Sequence, residues 1–415
     1  MSLDTHVPRQ RRALKTLVLL WLAWAMILYS YQAAVLARYQ VQRPDYALGW
    51  TPSMTGDQRF ADRPYLTDPF MNAQVGWDSE FYLSIALHGY DDPQVRSVMP
   101  TADSGLDRPL ALNYAFFPVY PHLIRVVAQP LRILGLSDIA TATLAGVLIS
   151  LLGTLAGMIA LYDWVQFTAG PDAGLRASFY LLIFPTGFFL AQVYTEGVFI
   201  GLAFGGLALL QRKHWLAAGG LTSLATLTRA VGVMLVIPLA WDWIQSRRQS
   251  SGRSEPIWSG LAVLAPVVTH LIWRFSPWGV AFQHVQTQFF TCQLLSLQRA
   301  ATAWGQALVS LWGNRPETAV YYAIEFTAIG LALVSCGLTL RRYPGISLFG
   351  FAVLLTSLTC GVAWSLARYV LTIPSVFIVL SAWGQHWLFD RAWSLISILF
   401  LGLLAALFTF DLWAG

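Results

Sequence analysis

Trp77-Asp78-Ser79-Glu80-Phe81-Tyr82-Leu83-Ser84-Ile85-Ala86-Leu87-His88-Gly89-Tyr90 sets two carboxylates among aromatic side chains, inside a long polar loop of a chain that is otherwise almost all apolar. Phe81, Tyr82 and Ile85 recur at helical spacing, so the segment reads as a short helix pressed onto an apolar surface. Ionisable groups cost several kcal/mol in a bilayer and are kept there for function. Acids and aromatics gathered beside a first membrane span therefore point to a site at the membrane surface. Asp78 stands where a helix N-cap stands, and capping is its plain structural reading. Catalysis is the other.

The rest of the chain supplies that membrane. Of 415 residues, 56% are hydrophobic and 11% are charged, less than half the charge of an average soluble domain. Eighteen Trp and 24 Phe suit the aromatic belts at bilayer interfaces. The sequence predicts an all-α polytopic membrane protein. The net charge of +5 sits at span ends rather than in a patch, which excludes a nucleic-acid surface. Cys292, Cys336 and Cys360 have no metal-ligand spacing and read as apolar fillers rather than a disulfide frame. Asn-x-Ser/Thr is absent from the sequence, which favours a bacterial cytoplasmic membrane over the endoplasmic reticulum.

Arg9-Gln10-Arg11-Arg12-Ala13-Leu14-Lys15 precedes an apolar run to Leu36, too long for a signal-peptide core, and reads as a retained first helix, 14–36. Further apolar runs lie at 139–162, 173–190, 194–211, 214–228, 230–246, 257–275, 318–340, 345–362, 367–385 and 392–412, giving about eleven transmembrane helices. They divide a single domain, 1–415, into the first span, an outer loop 37–137, core spans 139–275, a second outer loop 276–317 and C-terminal spans 318–412. With the N-terminus inside, Arg212-Lys213, Arg247-Arg248-Arg253 and Arg341-Arg342 all fall in short cytoplasmic loops, as the positive-inside rule asks. The C-terminus is then outside. Phe116–Leu136 carries Pro118, Pro121 and Pro130 with Arg125 and Arg132, and reads as a helix lying on the outer surface; the alternative, a crossing, would invert every later assignment.

The loop 38–113 holds ten of the chain's 21 acids: Asp45, Asp57, Asp62, Asp68, Asp78, Glu80, Asp91, Asp92, Asp103 and Asp107. Most are solvated. Beyond the loop, Arg125 follows Phe116-Phe117-Pro118-Val119-Tyr120-Pro121 and is either an interfacial anchor or a phosphate contact. Tyr194-Thr195-Glu196 puts an acid between two apolar helices, as a cap or as a cavity group. Thr228-Arg229 and Ala367-Arg368-Tyr369 each place an arginine at an outer helix end. Lone arginines there snorkel to headgroups; two that converge would suit a phosphate. P-loop, Rossmann, HExxH and GxSxG patterns are missing, so nucleotide and hydrolase classes have no support.

Taken together, Trp77-Asp78-Ser79-Glu80-Phe81-Tyr82 with Gly89-Tyr90, Phe116-Phe117-Pro118-Val119-Tyr120-Pro121 with Arg125, Tyr194-Thr195-Glu196 with Phe199, Thr228-Arg229 with Gly232, and Arg368-Tyr369-Val370-Leu371 resemble the PIG-V family, the second mannosyltransferases of GPI-anchor assembly with their bacterial relatives, within the GT-C superfamily. The resemblance implies a GT-C glycosyltransferase fold with juxtamembrane helices in the first outer loop. It implies a polyprenyl or dolichyl monophosphate sugar donor, typically mannose, and a catalytic aspartate that maps onto Asp78. The acceptor, a lipid or a glycan, is left open, because nothing in the chain marks a GPI acceptor. Inverting transfer needs a base for the acceptor hydroxyl and positive charge for the departing phosphate. Asp78 is expected as the base. Glu80, Tyr82, Arg125 and Tyr194 are expected substrate contacts, as are Glu196, Arg229, Arg368 and Tyr369. A cofactor is not required, although a divalent metal near Asp78 and Glu80 stays open. The competing class is a transporter or flippase for a lipid-linked sugar, against which stand the large acidic loop and the lack of an internal inverted repeat.

Overall fold

The apolar runs fold into helices whose ends fall at prolines, glycines and charges. The computed structural model describes residues 6–40, 44–56, 63–101, 107–249 and 257–415. Asp57, Asp62, Asp103 and Arg253 lie outside them. Among the described residues four helices are long and apolar enough to cross a bilayer: Arg11–Arg38, Asp138–Ala169, Pro316–Thr339 and Trp387–Thr409. A fifth candidate is the pair Trp258–Arg274 and Pro277–Gln288, bent by 79°. Glu196–Gln211, Pro344–Leu358 and Pro374–Trp383 are apolar but shorter.

Several of the eleven expected spans are thus shorter or broken, for a local reason. The residue before a proline is pushed out of the α region, and proline lacks the N–H a helix needs. The run 173–190 becomes a helix Pro171–Ile183 that stops where Phe184 turns extended ahead of Pro185, followed by a 3₁₀ turn Gly187–Ala191. The run 367–385 breaks at Ile373, extended before Pro374, into Leu366–Val370 and Pro374–Trp383. At 230–246 a 3₁₀ segment Ala230–Leu235 precedes the helix Val236–Gln249. These breaks bring Tyr194, Arg229 and Arg368 into the protein interior.

The expected surface segment 116–136 contains a helix Val119–Leu131 of 13 residues, about 20 Å long, against a hydrocarbon core of about 30 Å. Tyr120, Ile124 and Ala128 form its buried stripe while Leu123 and Val126 are exposed. The first loop also holds a minimal antiparallel pairing, Ser97 opposite Ala111 and Val98 opposite Leu110.

Two polar ends emerge. At one, Arg212 meets Asp163 at 2.6 Å, Lys213 donates to the Ser246 hydroxyl at 2.7 Å and Arg342 donates to the Thr168 carbonyl at 3.0 Å. At the other, the Trp413 amide donates to Asp45 at 2.6 Å and Gln32 donates to the Ala73 carbonyl at 3.0 Å. Between them, helices Asp138–Ala169 and Glu196–Gln211 pack on a small-residue seam. A Cβ at Gly197 would lie 2.2 Å from the Ser150 carbonyl oxygen. Only glycine permits this approach, and it fixes the neighbouring Glu196.

Candidate active site

The chain approaches Asp78 through a tight turn. Trp77 takes a left-handed φ of 49°, and the amides of Ser79, Glu80 and Phe81 donate to the carbonyls of Gly76, Trp77 and Asp78. Those bonds occupy the first-turn donors that a cap would serve, and the Asp78 side chain makes no capping bond to the helix Ser79–Leu87. The capping reading of Asp78 is therefore corrected. Its own amide donates to the Tyr194 hydroxyl at 3.1 Å, and its carboxylate is free to point elsewhere.

It points to Arg368. Arg368 Nη1 donates to Asp78 Oδ2 at 3.2 Å, and Arg368 Nε lies 3.1 Å from Glu196 Oε1. Arg229 Nη1 pairs with the same Glu196 oxygen and donates to Thr195 Oγ1 at 3.2 Å. The order is Asp78, Arg368, Glu196, Arg229: two carboxylates and two guanidinium groups with no net charge. Each would be costly alone at this depth; alternation of sign makes their burial tolerable. Aromatic rings line the array, with Arg368 5.2 Å from the Tyr194 ring centre and Arg229 4.5 Å from that of Tyr369. The Asp78 side chain keeps 24% exposure while that of Glu196 has 0%, so Asp78 is the acid that faces open space. Burial, opposed by Arg368 and assisted by Glu196, holds its carboxyl above the ordinary range.

The remaining expectations divide. Tyr82 is buried against Phe116, Tyr120 and Tyr194, at the wall of the array. Glu196 is the carboxylate both arginines share. Glu80 points away from Asp78, toward buried Arg63 at 3.7 Å, as expected for a residue two positions along a helix. Arg125 donates its Nε and Nη2 to the Ala86 and Ile85 carbonyls, both at 2.8 Å. It satisfies the C-terminal end of the Asp78 helix, where a cation is favoured.

Three residues escaped the sequence reading. Arg63 sits between Glu80 and Asp411, 3.9 Å from the latter. Glu325 is 1% exposed in the helix Pro316–Thr339. It accepts from Tyr321 at 2.8 Å and from the Ala367 amide at 2.9 Å. The Tyr321 hydroxyl in turn accepts from the Ser365 amide at 2.9 Å. Glu325 and Tyr321 thereby hold the turn that presents Arg368, in which Ser365 has a left-handed φ of 66°. An acid inside an apolar run was the available signal for Glu325. Arg63 gave none.

Trp50 stacks among Trp77, Trp364 and Trp413 with ring centres 5.0–5.8 Å away. Beside this cluster a cavity of about 400 Å³ is lined by Gln306, Arg315, Tyr322 and Trp364, among others. Among the described residues no three His, Cys, Asp or Glu side chains gather as a metal-holding group.

Residues 18–250 match the family described as mannosyltransferase (PIG-V). The chain belongs to that family. The match takes in Asp78, Glu196 and Arg229; Arg368 lies beyond it. Mouse GPI alpha-1,6-mannosyltransferase 2 is 30% identical over 186 residues, 44% of this chain and 33% of the mouse protein. The rat protein of the same name is 24% identical over 321 residues, 74% of this chain and 60% of its own length. The chain thus aligns with about a third to three fifths of these PIG-V relatives. Among solved structures it is similar to ArnT from Cupriavidus metallidurans bound to undecaprenyl phosphate, with 14% identity, a TM-score of 0.46, and coverage of 89% of this chain and 61% of that one. The Archaeoglobus fulgidus oligosaccharyltransferase AglB, in complex with an inhibitory peptide and a dolichol-phosphate, gives 12% identity and a TM-score of 0.42 over 95% of this chain and 56% of its own.

Proposed function

We propose that this PIG-V family chain is an inverting glycosyltransferase that moves a sugar, mannose by family, from a polyprenyl or dolichyl monophosphate to a hydroxyl of a lipid or glycan on the outer side of the membrane. The observation that carries the reading is the Asp78–Arg368–Glu196–Arg229 array. Asp78 is its half-buried acid, the less buried of the two carboxylates, and Glu196 holds both guanidinium groups. Beyond their carboxylate and Thr195 bonds, the other N–H groups of Arg229 and Arg368 have no hydrogen-bond partner among the described residues. They are available to a phosphate, which binds guanidinium in a forked geometry.

The acceptor oxygen attacks the anomeric carbon as the carbon–phosphate oxygen bond breaks. Its proton passes to Asp78, and the electron pair leaves with the lipid phosphate. Asp78, held above the usual carboxylate range by burial, is a stronger base than a solvated aspartate. Arg368 and Arg229 stabilise charge growing on the leaving phosphate within a partly dry site. A flippase would use the same arginines, but it has no need for a half-buried, raised carboxyl beside them.

The experiment is incubation of the purified chain with polyprenyl-phosphate mannose and a membrane lipid extract. Transfer of labelled mannose to an extractable product is expected. Translocation of the intact donor across vesicles without transfer would favour the flippase.

A further inference from the structure

Cys292 and Cys360, unrelated by spacing in sequence, meet in the folded chain. Each thiol lies within hydrogen-bonding reach of the other. Backbone bonds hold the two segments together: the Gln293 amide donates to the Cys360 carbonyl at 2.8 Å, and the Ser296 amide donates to the Thr359 carbonyl at 2.9 Å. A Cβ on Gly361 would lie 3.4 Å from the Thr291 carbonyl, so the 359–361 turn is packed directly on 291–296. Both cysteines are half-buried. Neither lies in a helix, and the backbone bonds between the two segments bring the chains as close as a disulfide, with Cα atoms under about 7 Å apart, requires. The third cysteine, Cys336, is fully buried in the helix Pro316–Thr339.

We propose that Cys292 and Cys360 form an intramolecular disulfide that staples the second outer loop to the turn leading into Arg368. The oxidant is a protein disulfide of the thiol-oxidase class. One cysteine thiolate attacks that disulfide, forms a mixed disulfide and expels one of its sulfurs. The second thiolate then displaces the other. The two cysteines lose two protons and two electrons, the new S–S bond forms, and the oxidase is released as its dithiol. The inference shares with the proposed function only the placement of this end outside the cytoplasm, where disulfides persist. A covalent tie at Cys360 constrains the same turn that Tyr321 and Glu325 hold by hydrogen bonds.

The test counts thiols in the full chain. Cells expressing it are acid-quenched, denatured and treated with a polyethylene-glycol maleimide before and after reduction. One adduct before reduction and three after are expected. Cys360→Ser should give two in both states, and Cys336→Ser none before reduction and two after. Peptide mapping under non-reducing conditions should show residues 292 and 360 joined. Purified, reduced protein exposed to oxidised glutathione should form the same link, and reduction should lower the melting temperature of the parent by about 5 °C but not that of Cys360→Ser. Three adducts before reduction overturn the proposal even if glutathione forms the bond in vitro. Failure of glutathione to form it overturns the geometry itself, independently of sugar transfer.

Discussion

At the scale of single residues, Asp78 separates two roles that the sequence left together. Asparagine keeps the side-chain shape and an oxygen for Arg368 Nη1, but it does not take a proton. Asp78→Asn is expected to lower transfer by about 10²–10⁴-fold while donor binding and the folded state persist, as measured by turnover beside donor titration. Retention of parent-like rates in the Asn variant would remove Asp78 from the chemistry and return Asp91, Asp92 or Glu196 to consideration. Burial raises the Asp78 carboxyl, Glu196 adds to the rise and Arg368 opposes it. The sign is fixed by that order: the ionised base is lost as pH falls through a value above the solvated carboxylate's. The acid limb of the kcat/KM profile should therefore lie above 3.8, the unperturbed aspartate value. A limb at or below that value would mean that Asp78 ionises as a solvated acid and that its surroundings do not tune it.

At the scale of elements, the site depends on how short segments are mounted. The turn before Arg368 is caught at the Ser365 amide by Tyr321 and at the Ala367 amide by Glu325. Losing the acceptor for one buried amide costs about 1–3 kcal/mol, and 1.4 kcal/mol is tenfold in an equilibrium. Glu325→Ala should thus raise the donor KM about tenfold as Arg368 loses its bearing. Glu325→Gln, which keeps one carbonyl oxygen for the Ala367 amide, should recover much of it. Equal damage in both variants, tracked by the same drop in melting temperature, would mark Glu325 as structural only. Much of the array was legible because its members stand at visible interruptions: Tyr194-Thr195-Glu196 follows the Phe184-Pro185 break, Arg229 separates two apolar runs, and Arg368 precedes Pro374. The partners of Arg125 and Glu80 were not legible, because sequence marks a charged residue but not its direction. One charge satisfies helix carbonyls and the other is neutralised by Arg63, a partner the sequence does not single out. The continuity of the runs 173–190 and 367–385 was overread for a related reason. Hydropathy averages across Pro185 and Pro374, whereas the backbone stops there.

At the scale of the whole molecule, both polar ends follow from where charges find partners. Arg212, Lys213 and Arg342 meet Asp163, Ser246 and the Thr168 carbonyl at one end. The Asp78 array lies at the other end of one of the same helices: Glu196 opens the helix Glu196–Gln211 that Arg212 closes. A sidedness in which the basic end is cytoplasmic satisfies the positive-inside bias and places the array where a lipid-linked sugar on the outer leaflet would meet it. The same sidedness decides which loops a membrane-impermeant reagent reaches. In a background lacking the native cysteines, Arg341→Cys should stay unlabelled by an impermeant maleimide in intact cells and react after lysis, whereas Asn314→Cys, beside the cavity, should react before lysis. The reverse pattern would put the array on the cytoplasmic face. The donor would then have to be presented there, and both the outer-leaflet acceptor and the oxidised cysteine pair would lose their physical basis together.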